Sequence, residues 1–403
     1  MGSNKGSLSG VKVIDLSRVL GGPYCTQALA DHGAEVIKIE PPMGDETRYW
    51  GPPFKGDASS YFIGVNRNKK GMALDLRKPE ARDVLLKLLE DADVLIENFK
   101  SGTMEKWGIG YKECLQQKFP RLVYMKFSGF GDDGPFGGYP GYDAIAQAMA
   151  GIMSVNGSQD TGAMKVGVPI IDMATGMNSV IGILLALNER HSSGKGQYVE
   201  TTLYDTAISL LHPHSANWIM SGAEPKVYGN AHPNIVPYDR FETATGPIFL
   251  GAANDRQFVN LCIALECAEL AEDARFDNNG LRIENRDALT VLLREKLLPR
   301  DGRALCAELL QKGITAGPIE SIPDALTHPH TLHREMVLEQ DDYKAVGTPV
   351  KLSRTGASLR SLPPSFGEHN EEVLSAAGYS DKEIAEMKDQ GVILNRLPKQ
   401  PGA

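Results

Sequence analysis

Val11-Lys12-Val13-Ile14-Asp15-Leu16, then Gly21-Gly22-Pro23, then Ala34-Glu35-Val36-Ile37-Lys38-Ile39-Glu40 is the stretch whose reading decides the fold. The first run reads as a buried strand. Pro23 stands where the first turn of a helix accepts it, and that helix carries Cys25, Ala28, Leu29 and Ala30 before Gly33 ends it. The last run reads as a second strand. A strand–helix–strand unit of this length implies a parallel sheet and an α/β fold. Glu40 ends the second strand, where dinucleotide folds often place a ribose-binding acid. The G-x-G-x-x-G fingerprint is absent, however, which argues against a nicotinamide cofactor.

Working outward, residues 41–57 form a Pro/Gly-rich loop that contains Arg48. Asn66-Arg67-Asn68-Lys69-Lys70-Gly71 reads as a basic turn before a strand over Met72–Leu76. The pattern next predicts a helix over Pro79–Leu89 and a strand over Val94–Glu97. Asn98-Phe99-Lys100-Ser101-Gly102 follows at the carboxyl end of that strand, where ligands bind in open α/β sheets. A helix with Lys106 comes next, then a strand over Leu122–Phe127 and the glycine loop Ser128-Gly129-Phe130-Gly131. Gly141-Tyr142-Asp143 opens another helix, and a strand over Gln197–Leu203 leads into a helix over Asp205–Met220. The Gly/Pro/His/Asn-rich loop at 222–237 marks a domain boundary. A smaller αβ region and a C-terminal sheet-and-loop segment follow, the latter ending in a helix capped by Ser380 with Glu383. The predicted boundaries are 1–221, 222–335 and 336–403.

One carboxylate stands apart. In Val168-Pro169-Ile170-Ile171-Asp172-Met173, Asp172 precedes apolar residues at helical spacing: Met173, Met177, Val180, Ile181, Leu184 and Leu187. Asp172 is therefore predicted at or beside a helix N-cap, where unpaired amides favour an anion. Spacing alone leaves two readings open, an ordinary cap and a carboxylate held ionised as a nucleophile or base. Ala174, Gly176, Gly182 and Ala186 let a neighbouring backbone or ligand approach.

Composition narrows the class. The chain has 403 residues, 42% hydrophobic and 23% charged, ordinary values for a globular enzyme of two to three domains. A net charge of −9 argues against nucleic acid as a partner. Five scattered cysteines without a CxxC pair argue against disulfides and thiolate zinc. His328-Pro329-His330 with His333 lacks accompanying acids or thiols, so it reads as a surface loop and no metal is expected. No uninterrupted apolar run approaches the roughly 20 residues of a bilayer span, and residues 1–9 are polar. A cytoplasmic enzyme is expected. Arg18, Lys69, Lys106 and Lys126, at strand or loop ends, suit a phosphate-bearing ligand.

Taken in order and spacing, several of these runs resemble the family III CoA-transferases, the CaiB/BaiF group. They are Asp15-Leu16-Ser17-Arg18-Val19, Gly33–Glu40, Gly44-Asp45, Asn66-Arg67-Asn68-Lys69 and Glu97-Asn98-Phe99. Ser128–Gly131, Gly141-Tyr142-Asp143, the Asp172 stretch and Gly229-Asn230 with His232-Pro233 complete the set. The resemblance implies a Rossmann-like large domain formed by both chain ends, with a small α+β domain inserted between them. It implies an interlocked homodimer of ring-like chains. It places the catalytic aspartate on Asp172 and coenzyme A, brought in as substrate, along Arg18, Val19, Leu20, Asn66, Lys69, Asn98, Phe99, Thr103, Lys106 and Tyr142. No tightly bound cofactor is needed, since the carboxylate itself carries the group, with glycine-loop amides as oxyanion donors.

The same family holds α-methylacyl-CoA racemases. This chain has Tyr142 where they place a His, and a phenol is a poor base at neutral pH. Transfer is therefore expected, with racemization, or CoA binding without turnover, as alternatives. Members acting on formyl-CoA and oxalate carry Gln at the place of Leu20 and a run of glycines where this chain has Gly229–Asn234. The expected substrates are accordingly larger: succinyl-CoA or a similar donor and a small organic acid, with Arg48, His232 and Asn234 in the substrate pocket and Arg240 as a further candidate cation.

Overall fold

Alternate residues of the strands face opposite sides of one sheet, and each side has its own apolar cover. In this computed structural model, which describes residues 6–398, six strands lie parallel. They are β1 (Lys12–Asp15), β2 (Glu35–Glu40), β3 (Lys69–Ala73), β4 (Val94–Glu97), β5 (Val123–Ser128) and β6 (Tyr198–Thr202), in the spatial order β3-β2-β1-β4-β5-β6. Val13, Val36, Val94, Val123 and Met125 point to one face, against Cys25 and Leu29 of helix α1 (Gly21–Asp31). Ile14, Ile37, Met72, Leu95 and Tyr124 point to the other, against Val84, Leu85 and Leu88 of α2 (Pro79–Leu88) and against Val373, Leu374 and Ile384 near the C-terminus. A parallel sheet covered on both faces produces such runs of consecutive apolar residues. The strand order reverses between β1 and β4, which leaves a crevice at their carboxyl ends.

The chain folds as two units. The larger extends to Gly151, resumes over Val166–Leu210 and returns from His333, so both chain ends build it. The smaller comprises Ile152–Lys165 and Leu211–Leu332. Within the smaller unit, strands Tyr238–Phe241, Ile248–Gly251 and Thr315–Pro318 form an antiparallel sheet. Its core takes Phe241, Phe258, Phe276, Leu289, Leu293 and Leu309, and the buried Arg282 donates to the carbonyls of Val236 and Phe276 and to Asp255.

Three sequence expectations need correction. The unit boundary comes at Leu211 rather than at 222, because the helix predicted over Asp205–Met220 is two helices, Leu203–Ser209 and His214–Ser221, with Pro213 between them. Residues 152–165, expected in the N-terminal domain, belong to the smaller unit. The third strand is Lys69–Ala73 rather than Met72–Leu76. Lys69 reads as a loop residue because it is charged, yet its ammonium is buried on Asp15 and on acceptors from Pro23 and Asn66.

Three further helices complete the frame of the crevice: α3 (Asp143–Met149), α4 (Ile170–Ser193) and α5 (Leu203–Ser209). By length and composition alone α4 is apolar enough to cross a membrane. One face of it is buried through Ile171, Thr175, Ser179, Ile183 and Ala186, whereas Met177, Ile181, Leu184 and Leu185 are exposed. A Cβ at Gly176 would meet the Gly21 carbonyl oxygen at 2.6 Å, so α1 and α4 touch backbone to backbone. This close approach brings the N-terminal ends of the two helices together at the crevice.

Candidate active site

The wall contributed by β1 is the loop Ser17–Leu20, which buried charges hold in place. Asp15 accepts the Ser17 amide at 2.9 Å. The Lys38 ammonium donates to the Ser17 carbonyl at 2.8 Å and to Asp45 at 2.9 Å, and Asp45 accepts the Val19 amide at 3.3 Å. Asn98 clamps Arg18 from across the crevice, accepting its amide at 2.9 Å and donating to its carbonyl at 2.8 Å. Val19 has φ +71°, a left-handed conformation that costs a β-branched residue about 1–2 kcal/mol. Each buried charge has a partner: Lys38 with Asp45, Lys69 with Asp15, Arg48 with Glu40. Burial pushes the Lys69 ammonium down to about 8 while Asp15 opposes that fall.

Opposite, the end of β4 is held in the same manner. Glu97 is buried, accepts the Phe99 amide at 2.6 Å and the Tyr124 hydroxyl at 2.9 Å, and pairs with Lys126 at 2.8 Å. Lys126 in turn donates to the Phe99 carbonyl at 3.0 Å. Asn98, Phe99 and Lys100 are thereby fixed as the second wall.

Asp172 is the third residue of α4, and Pro169, the N-cap, has neither a side-chain acceptor nor an amide proton to offer. The cap comes from elsewhere. Asp143 accepts the amides of Ile171 at 2.7 Å and Asp172 at 3.1 Å. Asp172 therefore does not cap its own helix, and the expectation that helix amides hold it ionised is corrected. Burial, with the negative charge of Asp143 adding to it, pushes its carboxyl up to about 7. A carboxyl raised this far is partly protonated near neutral pH and more nucleophilic when ionised than an ordinary carboxylate.

Asp172 lines an inner cavity of about 240 Å³ together with Arg18, Val19, Leu20, Asn98, Phe99 and Tyr142. A second cavity of about 360 Å³ shares Arg18, Phe99 and Lys100 with it and runs out past Thr103, Arg77 and Trp107. Arg18 bridges the two, and its Nε is buried without a hydrogen-bond partner among the described residues. An orphaned guanidinium N–H at the junction of two cavities is a ready anion site.

Of the predicted site residues, seven line the inner cavity and Thr103 lines the outer one. Asn66 and Lys69 are buried beneath the loop and bond each other, so neither reaches a ligand. Lys126 is tied to Glu97. Arg48 is 1% exposed, binds Glu40 through two nitrogens and lies 3.7 Å from the Phe62 ring centroid, so it is structural rather than a pocket cation. Lys106 is exposed and lines neither cavity. His232 and Asn234 lie in the smaller unit. There His232 accepts the Asn234 amide, and Asn234 bonds Asn217. Burial, with Arg286 and His214 adding to it, lowers the His232 imidazole. Arg77, Lys100 and Tyr139 were missed, as was Asp143, which sequence reasoning treated only as a helix start.

A doubly wound sheet with a basic carboxylate in its switch-point crevice, beside an anion-ready arginine, defines an α/β group-transfer enzyme. The comparisons give the family. The model of CoA-transferase family III matches residues 8–370. The succinyl-CoA:mesaconate CoA-transferase of Haloarcula marismortui is 39% identical over 93% of this chain and 97% of its own length. The human succinyl-CoA:glutarate CoA-transferase is 34% identical over 96% of this chain and 90% of its own. A solved CaiB/BaiF family protein from Brucella suis superposes with a TM-score of 0.84 at 39% identity, covering 93% of this chain and all of that one. The chain belongs to CoA-transferase family III and is a CoA-transferase.

Proposed function

We propose that this enzyme moves CoA from succinyl-CoA, or a similar dicarboxyl-CoA, to a C4–C6 organic acid through covalent intermediates on Asp172. The observation that carries the reading is the place of Asp172: a basic carboxylate on the wall of the inner cavity, joined through Arg18 to a second cavity with cationic side chains. The adenosine diphosphate of CoA suits the outer cavity, with its phosphates on Arg18, Lys100 and Arg77 and a base against Trp107. The thioester then reaches inward to Asp172.

In the first step an Asp172 oxygen attacks the thioester carbonyl, the C–S bond breaks, and a mixed aspartyl–acyl anhydride and CoA thiolate result. The thiolate attacks the aspartyl carbonyl and expels the donor carboxylate, which keeps one oxygen from Asp172. The acceptor carboxylate attacks the aspartyl thioester, and the returning thiolate takes the acceptor's acyl group and restores Asp172. Free Asp172 carries a charge at the start and end of this cycle, and none between. The backbone amides of Gly129 and Gly141, at the inner cavity, are the candidate oxyanion donors.

Dicarboxylates are favoured because Leu20 and Tyr142 give the inner cavity room for a carbon chain, and because the two curated relatives above are named for succinyl-CoA with glutarate or mesaconate. With Arg48 buried, Arg18 on the inner cavity is the candidate for the second carboxylate, while Arg240 pairs with Glu242 within the smaller unit. Among the described residues no histidine lines the inner cavity, which leaves a racemase without its usual second base. The exposed apolar stripe of α4 suits burial against a second copy, in keeping with an interlocked homodimer of twice the 43.7 kDa chain mass. Incubation with succinyl-CoA and hydroxylamine, followed by peptide mass spectrometry, tests the intermediate. A hydroxamate at Asp172 is expected, lost in Asp172→Asn. A crossed panel of acyl-CoAs and acids tests the substrate class, which butyrate outperforming every dicarboxylate overturns. Light scattering at nanomolar concentration tests the dimer, which a monomer there refutes.

A further inference from the structure

Asp143 stands beside Asp172, whose amide it accepts, and the transfer steps do not use it. It is the first residue of α3 and 9% exposed. Its Oδ2 accepts two amides of α4, Ile171 and Asp172. Its Oδ1 accepts the Gln147 side-chain amide at 2.6 Å, while the Gln147 oxygen accepts the Val166 amide at 2.8 Å. Gln147 is itself fully buried. Asp143 and Gln147, one turn apart on α3, therefore hold both the segment entering α4 and its first turn. Asp143 accepts three N–H bonds and donates none.

Two consequences follow for Asp172. Its backbone is held through its own amide, so its side chain leaves a fixed point. The positive end of α4, which ordinarily favours an anion in its first turn, is occupied by another carboxylate. Titratable groups on the elements around Asp172 include Tyr24 on α1, Tyr61 on the helix Ser60–Ile63, Tyr204 and Asp205 on α5, and Arg18, Glu46, Lys100, Tyr139 and Tyr142 around the inner cavity. The cations Arg18 and Lys100 lie on the wall toward the outer cavity.

We propose that Asp143 is the positioning residue of this transferase: it caps the helix that carries Asp172 and, as a fixed negative charge beside it, favours the uncharged acylated aspartate over the free carboxylate. The proposal rests on the reading of Asp172 as the nucleophile. Each cycle converts a charged Asp172 into a neutral anhydride or thioester, so a neighbouring charge raises the starting state and leaves the loaded states unpenalised. The elevated Asp172 titration is in keeping with that arrangement.

Asp143→Asn separates charge from capping, since the amide oxygen can still accept both N–H groups. Carbodiimide with an amine labels protonated carboxyls, and mass spectrometry of the Asp172 peptide across pH reads the midpoint without requiring turnover. The wild-type midpoint is expected near 7. In Asp143→Asn it is expected to fall by about one unit, since burial, the larger cause of the rise, remains, with the acid limb of kcat/KM moving alongside. A purely structural role for Asp143 changes melting temperature and leaves that midpoint in place. An unmoved midpoint in a folded Asp143→Asn protein overturns the proposal. So does a wild-type midpoint near 4, which decides the matter even if the variant fails to fold. Hydroxylamine trapping on wild type separately tests the nucleophile reading, so the two failures are distinguishable.

Discussion

Asp172→Asn is expected to make the folded protein more stable above neutral pH while abolishing transfer. The folded-state titration of Asp172 lies at about 7 against 3.8 for the unperturbed group. The native state therefore binds more protons than the unfolded chain between those limits, and stability falls as pH rises through that window. Three units at 1.36 kcal/mol each set a ceiling of ~4 kcal/mol. Water in the cavity and relaxation around a partly exposed carboxyl reduce this to about 2 kcal/mol at pH 8. Below pH 4 both states protonate Asp172, and the asparagine variant is expected to match the wild type. Thermal melts at pH 4, 6 and 8 check the sign. A variant equal to or less stable than wild type at pH 8, with an unchanged pH slope, refutes the reasoning. The gain is the signature of a site kept at a cost in stability for its chemistry.

Three other outcomes are expected. Arg48→Met leaves Glu40 buried and unpaired, so it should lower stability by roughly 3–5 kcal/mol; a folded variant altered only in its KM for the acid contradicts the structural role. Val19→Gly relieves the left-handed strain and should raise stability by about 1 kcal/mol, yet raise KM for acyl-CoA because the Ser17–Leu20 loop loosens; calorimetry with steady-state kinetics reads both. Arg18→Ala should weaken acyl-CoA binding by at least tenfold, from about 1.5–3 kcal/mol of charge-assisted bonds, and leave a truncated pantetheine thioester unaffected; equal loss for both places Arg18 at the acyl end instead.

The parallel sheet was legible because its strands are buried on both faces, and consecutive apolar runs such as Val94-Leu95-Ile96 announce themselves. Strand Lys69–Ala73 was shifted in the reading because period and charge speak against a lysine inside a sheet, and only the spatial nearness of Asp15 makes it tolerable. The same cause misassigned Lys69 and Arg48. A cation at a strand end or in a loop looks alike in sequence whether it meets a ligand or a buried acid, and the acids here lie 8 and 54 residues away. Asp172 was placed near a helix start by spacing, but its electrostatics depend on Asp143, 29 residues earlier. Pairings of that kind are tertiary, and no local pattern encodes them.

The central claim is that a carboxylate oxygen passes between substrate and Asp172, and single turnover with heavy oxygen tests it most directly. The enzyme is loaded with succinyl-CoA, freed of small molecules, and given an acceptor acid labelled in both carboxylate oxygens. The account predicts that the peptide containing Asp172 leaves the reaction with one heavy oxygen and that the product acyl-CoA retains the other. An unlabelled Asp172 after product has formed contradicts it, since a direct exchange between two bound substrates leaves the enzyme's oxygens untouched.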